Sequence, residues 1–374
     1  MSSEAYGPRR VCSLGVAHVG AMYTWGYEEG PLEDDHFRVE TLYTGLSAGT
    51  ELSFFKGTNP YLHARWDDEL GLFVAAAPSQ AFPVPFLGYM EVGRVVASRT
   101  PAVAAGEIVA MAYGHKTGHT AHATREFFVR LPQDLDPLLG IYAAHMGPIC
   151  ANGLLHAAAD LYGAHVTHLG DGVRGRHVLI TGAGVIGLLT GLWARHLGAA
   201  EVAIADRTPE RLGVARALGL QALHPDDVDV PGWCKTRWHY GPGDRGADVA
   251  LQCQGRASAL QMALRSLRPQ GTVIDLAFYQ EGAGAVRLGE EFHHNGLRIQ
   301  CAQISRVPRG LAHTWDRSRL AAETVCLLQT YGALIKAHLI TDVVPFNAAP
   351  QLIADLAARR RHVLQAVFAV TPCA

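Results

Sequence analysis

Three glycines occur at a regular spacing in one turn of the chain's second half. The turn reads GAGVIG at residues 182–187, follows the apolar run HVLIT and precedes the helical pattern LLTGLWARHLG. In such a setting the first glycine permits a tight turn, the second lets backbone approach a pyrophosphate, and the third lets the helix pack closely on the strand. N–H groups at the start of the helix also attract phosphate. The motif therefore predicts a dinucleotide site.

A carboxylate follows the next strand pattern, where it would reach the ribose of such a ligand. Asp206 ends the run EVAIAD and is followed by Arg207. In this position a carboxylate accepts hydrogen bonds from the ribose hydroxyls of NAD and repels the 2′-phosphate of NADP. Arg207 could receive that phosphate, but behind Asp206 we interpret it as stacking on adenine. The pair predicts NAD; the alternative is that the glycines serve only helix packing and Asp206 caps a turn.

These residues need a strand–helix framework, which the surrounding sequence predicts. Strand patterns at VLIT, EVAIAD, DVALQC, TVIDLA and RIQCAQI are mostly separated by helical patterns. This alternation predicts an α/β fold with a doubly wound parallel sheet. The first 150 residues instead carry short strand patterns broken by Gly, Pro and polar turns. They predict a separate β-rich domain.

Composition excludes several classes of protein. The 374 residues are 49% hydrophobic, and 32 basic residues nearly balance 34 acidic ones. This balance gives no electrostatic reason to bind nucleic acid or an anionic membrane. The seven cysteines, from Cys12 to Cys373, contain no CxxC pair and predict reduced thiols. With no signal-peptide pattern and no long apolar run, we expect a cytoplasmic protein.

Several stretches resemble one enzyme family. The run HVLITGAGVIGLLTGLWARHLGAAEVAIADRTPERLGVARALG is similar to the coenzyme domain of medium-chain dehydrogenase/reductases, the zinc alcohol dehydrogenases and their relatives. TGLSAGTE, FLGYMEVGRVV and GEIVAMAYG resemble that family's GroES-like β-barrel. The resemblance implies a GroES-like catalytic domain over residues 1–152, a Rossmann domain over 153–307 and a return to the catalytic domain over 308–374. It also implies that RIQCAQI pairs across a two-fold axis, giving a homodimer or a homotetramer.

The resemblance also carries cofactor positions onto this chain. Cys253 and Gln254 would pass near the adenosine, and Ala277 and Phe278 would lie along the nicotinamide. Together with Arg207, the residues expected to bind NAD are Gly182, Gly184, Val185, Ile186, Gly187, Asp206, Cys253, Gln254, Ala277 and Phe278.

The family's catalytic zinc ligands are not matched by metal-binding side chains. The cysteine position falls on Ser47 or Ala48, and the histidine position falls on Tyr89. The third position falls near Gly147-Pro148, or near Cys150 in another alignment. Zinc prefers thiolate, imidazole and carboxylate ligands. The four-cysteine structural zinc loop is absent as well, so the sequence predicts no metal and a zinc-free branch of the family.

Three histidines offer an alternative metal site. His115, His119 and His122 lie within eight residues. Their spacing would share a helical face, but Gly114 and Gly118 disfavour a helix. The competing interpretation is a polar loop after the strand GEIVAMAY.

Without zinc, alcohol oxidation still requires a base for the hydroxyl proton and a donor for the substrate oxygen. Thr50 matches the family's proton-relaying hydroxyl, Glu51 could act as base, and Tyr89 could bind the oxygen. His115 and Lys116 could titrate near neutrality if partly desolvated. Each has a structural alternative: a surface carboxylate for Glu51, cavity filling for Tyr89, and a solvated loop for His115 and Lys116.

The sequence therefore predicts an NAD-dependent, zinc-independent oxidoreductase that interconverts a secondary alcohol and its ketone. The polar candidates suggest a hydroxylated small-molecule substrate such as a sugar or cyclitol. One alternative is an NADPH-dependent C=C reductase, as in the zinc-free enoyl and quinone reductases of the family. Another is a protein that binds NAD(H) without catalysis.

Overall fold

The structure of the protein is a computed structural model that describes residues 3–370, so Cys373 lies outside the described residues. Two compact units are present: the first comprises the chain up to His145 and from Leu328 onward, and the second comprises Met146–Leu327. The sequence placed these boundaries after residues 152 and 307. The structure instead places the first boundary at the start of a helix, Met146–Tyr162, and the second within another, Arg317–His338.

The helices and strands follow one another through both units. In chain order the strands are β1 Arg9–His18, β2 Ala21–Glu29, β3 His36–Gly45, β4 Arg65–Asp67, β5 Leu72–Val74, β6 Glu91–Ser98, β7 Ile108–Met111, β8 Gly118–His122, β9 Val129–Arg130, β10 His177–Thr181, β11 Glu201–Ala205, β12 Gln221–Leu223, β13 His239–Gly241, β14 Asp244–Arg245, β15 Ala247–Gln252, β16 Leu267–Asp275, β17 Arg298–Cys301, β18 Ile340–Pro345 and β19 Gln365–Ala369. The α-helices are α1 Ala48–Phe55, α2 Met146–Tyr162, α3 Val185–His196, α4 Pro209–Ala217, α5 Val230–Arg237, α6 Ala257–Ser266, α7 Arg317–His338 and α8 Ala349–Ala357.

The first unit is built on a mainly antiparallel sheet. Its strand order is β18-β19-β3-β6-β7-β9, and β8 pairs with β3 outside this path. Alternating apolar residues of these strands, among them Phe37, Val39 and Val109, form a buried cluster. A second cluster includes Phe55, Leu352 and Phe368, and therefore packs α1 and α8 against β19. This packing holds α1 beside the end of β3.

The second unit has a six-stranded sheet in the order β12-β11-β10-β15-β16-β17. Every pairing in it is parallel. The near-continuous apolar strands are buried on both faces, as parallel sheets require. The order reverses between β10 and β15, which is the position where such sheets bind dinucleotides. The predicted α/β fold class, a doubly wound sheet with a separate β-rich domain, is confirmed.

Two stretches differ from their sequence-based interpretation. TGLSAGTE is not a simple loop, because α1 begins within it at Ala48. The segment around His119 and His122 is not a polar loop either; it forms β8, in which His119 lies opposite Val39 of β3. Both elements depend on pairing or packing with residues far away in the chain. Within the described residues, no helix has the length and apolar character needed to cross a membrane.

Candidate functional site

The glycine turn of the second unit has the geometry that its sequence predicts. Gly182 has a φ of +99°, in the region that favours glycine. A Cβ on Gly187 would lie only 1.9 Å from the Gly182 carbonyl oxygen, so helix α3 can begin at this distance only with glycine there. Gly184 differs, because a Cβ on it would meet nothing within 4 Å. The space beside Gly184 is open for a pyrophosphate.

This contrast predicts different effects of adding one methyl group at two glycines. We expect Gly187→Ala to lower the melting temperature, because its Cβ meets backbone. We expect Gly184→Ala to leave melting unchanged but to weaken NADH binding about tenfold or more, because the methyl group occupies the ligand's space. Thermal melting and NADH titration of both variants check this. Equal melting losses in the two variants would contradict it, and Gly213→Ala, also in open space, is the control.

Asp206 connects the glycine turn to the end of β11. It is buried, its Oδ2 accepts from the Ala183 N–H at 2.8 Å, and its Oδ1 accepts from the Thr208 N–H at 2.8 Å. The second bond is the turn cap that the alternative interpretation proposed. Each carboxylate oxygen retains a further lone pair for a ribose hydroxyl. The ligand role and the structural role of Asp206 are therefore compatible.

Asp206 also lines a pocket with Arg207, Gln254 and Arg256. Arg207 is largely exposed, and its Nε lies 3.4 Å from Asp226 Oδ1. Val185 and Ile186 are partly exposed at the start of α3. An open glycine turn, a carboxylate at the end of the next strand and a pocket beside it fit a nicotinamide dinucleotide.

Other polar side chains connect the ends of three adjacent strands. Thr181 Oγ1 donates to Gln252 Oε1, and Gln252 Nε2 donates to the Tyr279 hydroxyl at 3.1 Å. That hydroxyl donates to Asp275 Oδ2 at 2.8 Å. Asp275 Oδ1 accepts from the N–H of Ala277 at 2.9 Å. We call Thr181, Gln252, Tyr279 and Asp275 the strand-end ladder; none of the four was among the sequence candidates.

Three hydroxyl groups meet at the end of β3 in the first unit. The Ser47 and Tyr89 hydroxyls are hydrogen-bonded, and Thr50 Oγ1 lies 3.4 Å from the Tyr89 oxygen. The Tyr89 ring packs beside that of His145, with centroids 4.5 Å apart. Burial raises the pKa of Tyr89 above its ordinary value, so the phenol stays protonated at neutral pH. The structure therefore brings together the predicted Thr50 and Tyr89, and adds Ser47 and His145.

A buried ionisable cluster lies behind these hydroxyls. His115 Nε2 is 2.5 Å from Glu51 Oε2, and Glu51 Oε1 accepts from the Ser47 N–H at 2.7 Å. On the other side of the ring, His115 Nδ1 is 2.5 Å from Thr44 Oγ1, which donates to Glu91 Oε1 at 2.9 Å. We call Glu51, His115 and Glu91 the buried cluster. It connects the backbone at Ser47 to the interior of the sheet.

Burial and charge act in opposite directions within the buried cluster. Burial alone lowers the pKa of His115, but the Glu51 carboxylate, with a smaller contribution from Glu91, raises it above its ordinary value. Burial raises the pKa of Glu91, although the charge of His115 and several hydrogen bonds oppose this. We infer that His115 is cationic at neutral pH and that Glu51 is its principal partner.

Three of the structural alternatives to catalytic roles are wrong. Glu51 is not a surface carboxylate, because it is 3% exposed. His115 and Lys116 do not lie on a solvated loop, because they are 0% and 8% exposed. They also contact different groups: His115 contacts Glu51, whereas the Lys116 Nζ lies 4.2 Å from the centroid of the Phe86 ring. Burial lowers the pKa of Lys116.

The residues at the expected zinc positions do not fit zinc. The first two positions present the Ser47 and Tyr89 hydroxyls, which are bonded to each other. Among the three histidines, His119 pairs with Glu126 at 2.6 Å, whereas His115 pairs with Glu51. Within residues 3–370, no group of three or more His, Cys, Asp or Glu is arranged to hold a metal ion. Hydroxyl groups of this kind are poor substitutes for the ligands zinc prefers.

Comparison with known proteins gives a consistent result. A family model described as zinc-binding dehydrogenase matches residues 185–309. The chain is 28% identical over 334 residues to D-guloside 3-dehydrogenase of Shigella flexneri, covering 87% of this chain and 90% of that protein. An alcohol dehydrogenase structure from Thermotoga maritima superposes with a TM-score of 0.73 at 17% identity, covering 97% of this chain and 100% of that one. A zinc-binding dehydrogenase from Sinorhizobium meliloti 1021 bound to NADP has a TM-score of 0.70 at 20% identity, with 97% and 100% covered.

Proposed function

Because the chain belongs to the medium-chain dehydrogenase/reductase family, we propose that it interconverts a secondary alcohol and its ketone, using NAD and no zinc. The main support is the hydrogen-bonded group formed by Ser47, Thr50 and Tyr89. These hydroxyls stand where zinc members of the family carry metal ligands and the adjoining proton-relay hydroxyl. A protonated phenol held by two other hydroxyls can donate to a substrate oxygen, as an oxyanion-stabilising group does.

Each residue of the first unit then has a defined part in alcohol oxidation. Bound nicotinamide supplies the acceptor for the hydride that leaves the carbinol carbon. Tyr89 donates a hydrogen bond to the substrate oxygen, and Ser47 and Thr50 orient its hydroxyl. His145, beside the Tyr89 ring, accepts the proton that the substrate hydroxyl releases. In ketone reduction the same proton returns to the oxygen.

Glu51 and His115 act behind this group and do not contact substrate in our proposal. Both Glu51 oxygens already accept hydrogen bonds from the protein, one from the Ser47 N–H and one from His115. This arrangement replaces the direct base role first considered for Glu51. The pair positions Ser47, and so the group that holds Tyr89. Lys116 lies against Phe86 and Tyr27 and is assigned no part in the chemistry.

The proposed substrate is a sugar or a related polyol. D-guloside 3-dehydrogenase, similar over most of its length, is named for action on a sugar derivative. Several hydroxyl and imidazole groups near one point suit a ligand with multiple hydroxyls. We also propose a homodimer, or a homotetramer built from two dimers, through β17. All four of its residues are exposed at the edge of the parallel sheet.

For the cofactor, Asp206 favours NAD because a second negative charge beside it would be repelled. Arg207 and Arg256 line the same pocket and could instead attract a 2′-phosphate. The S. meliloti protein of similar fold was solved with NADP. We place NAD first because the carboxylate is buried at the strand end, whereas Arg207 is largely exposed.

The test is a hydride-transfer assay of the purified protein, combined with metal analysis. We expect NADH to form from NAD⁺ and a panel of sugars and cyclitols, with slower reaction using NADP⁺. We also expect activity to survive chelation and the protein to contain far less than about one zinc per chain. Stoichiometric zinc whose removal abolishes activity would refute the metal-free mechanism. NADPH-dependent reduction of enones would instead identify a C=C reductase, and dinucleotide binding without turnover a non-catalytic protein.

A further inference from the structure

The strand-end ladder has no assigned role in the dinucleotide site described so far. Its members lie at or just beyond the carboxyl ends of β10, β15 and β16. Gln252 is fully buried and Asp275 is nearly so. Burying an amide and a carboxylate is costly unless their hydrogen bonds are made inside the protein. Here each group is used, and the chain of donors runs in one direction and ends on Asp275.

The ladder connects two loops that are also in close steric contact. A Cβ on Gly255, in the loop after β15, would lie 2.2 Å from the Phe278 carbonyl oxygen, in the loop after β16. Gln252 Nε2 also donates to the Gln254 carbonyl at 2.7 Å, and Asp275 accepts from the Ala277 N–H. The side chains that connect the strands therefore also hold the backbone of both loops. Tyr279 is the bridge, because its hydroxyl bonds to both Gln252 and Asp275.

The position of these loops indicates which half of the ligand they serve. In a doubly wound sheet the dinucleotide lies across the carboxyl ends of the strands, with its two halves on opposite sides of the switch point. Asp206, which would receive the adenosine ribose, lies at the end of β11, on one side of β10. The loops after β15 and β16 lie on the other side. They therefore face the nicotinamide half.

We propose that the strand-end ladder positions the nicotinamide half of the dinucleotide by fixing the loops after β15 and β16, with Tyr279 as the connecting residue. The inference rests on the proposed function, since it needs a dinucleotide in this site. It assigns the ladder a positioning role and no contact with the reacting atoms. It also separates two parts of the site: the glycine turn and Asp206 bind ADP-ribose, and the ladder adds affinity for nicotinamide only.

The experiment compares two ligands that differ in the nicotinamide. The full-length protein and its Tyr279→Phe variant are titrated calorimetrically with NADH and with ADP-ribose. We expect Tyr279→Phe to weaken NADH about tenfold, because the two loops lose their bridging hydroxyl, and to change ADP-ribose binding by less than about twofold. Asp275→Asn is the second variant, for use if Tyr279→Phe does not fold, and the same split between ligands is expected.

The control is a tyrosine–aspartate pair at the opposite edge of the same sheet. Tyr240 donates to Asp248, and its oxygen lies 2.7 Å from Nδ1 of His177, the first residue of β10. Tyr240→Phe should leave both affinities unchanged. Equal weakening of both ligands by Tyr279→Phe, or no change in either, would overturn the inference. Failure of the unmodified protein to bind ADP-ribose would instead refute the dinucleotide site on which the proposed function depends.

Discussion

Replacing Tyr89 with phenylalanine is expected to lower kcat for alcohol oxidation about 100-fold, the usual loss when an oxyanion-binding donor is removed. The substitution leaves the ring beside His145 and deletes only the hydroxyl bonded to Ser47. The substrate oxygen then has no protonated phenol to stabilise it in the transition state. Steady-state kinetics with the best substrate of the panel measures the effect, and NADH titration should give an unchanged affinity.

Tyr113→Phe is the matched control for this result. Tyr113 is also buried, and its hydroxyl is hydrogen-bonded to Thr41 Oγ1 at 2.7 Å. Deleting it should lower stability by about 1 kcal/mol, an ordinary hydrogen-bond contribution, with kcat retained. If Tyr89→Phe kept full turnover, Tyr89 would only fill the space that a metal occupies in other family members, and our mechanism would fail.

Removing Glu51 is expected to cause the largest loss of stability. Glu51→Ala should lower the free energy of unfolding by about 3–5 kcal/mol, the range for breaking a buried ion pair from one side. His115 would lose its principal partner in the interior, and the Ser47 N–H would lose its acceptor. Chemical denaturation at neutral pH measures the loss. Glu51→Gln, which keeps the shape but not the charge, should lie between the two.

A histidine–carboxylate pair of similar distance but greater exposure provides the comparison. His119 and Glu126 are 2.6 Å apart, with side chains 15% and 38% exposed. Glu126→Ala should cost less than about 1 kcal/mol from the ion pair, because water screens it. Equal losses in the two variants would show that burial of Glu51 and His115 does not matter.

The same pair should also make stability depend on pH. Since the pKa of His115 is raised in the folded protein, its contribution is fully present below the ordinary value of 6.5. It is lost as pH rises through the folded-state pKa. The difference in unfolding free energy between the unmodified protein and Glu51→Ala should therefore shrink at alkaline pH. A constant difference across this range would mean that His115 is not charged in the native state.

The dinucleotide turn could be predicted from sequence because its conformation is determined locally. Gly182 and Gly187 are required by contacts within six residues, so the motif and the structure contain the same information. Helix α1 could have been found from a similar local signal. Glu51 accepts from the Ser47 N–H, much as a capping-box carboxylate does, although one residue later than the usual spacing.

The remainder of the site could not be predicted because it depends on long-range contacts. Tyr89 meets Ser47 only because β3 and β6 pair in a particular register. His115 lies in a polar, glycine-rich stretch that reads as exposed. Its burial depends on Glu51, 64 residues earlier in the chain. The strand-end ladder was missed for the same reason, since Gln252, Asp275 and Tyr279 stand in separate segments whose alignment only the parallel sheet defines.

The placement of β19 bears on the order in which the protein can assemble during synthesis. Leu46, next to Ser47, donates its N–H to the Ala366 carbonyl and accepts from Gln365 Nε2. The second unit is one continuous segment that can complete its sheet while the chain is still on the ribosome. The first unit cannot, because β19 pairs with β3 and is translated after the whole second unit. A ribosome stalled before Gln365 should therefore carry a protein able to bind dinucleotide whose alcohol site is still unfinished.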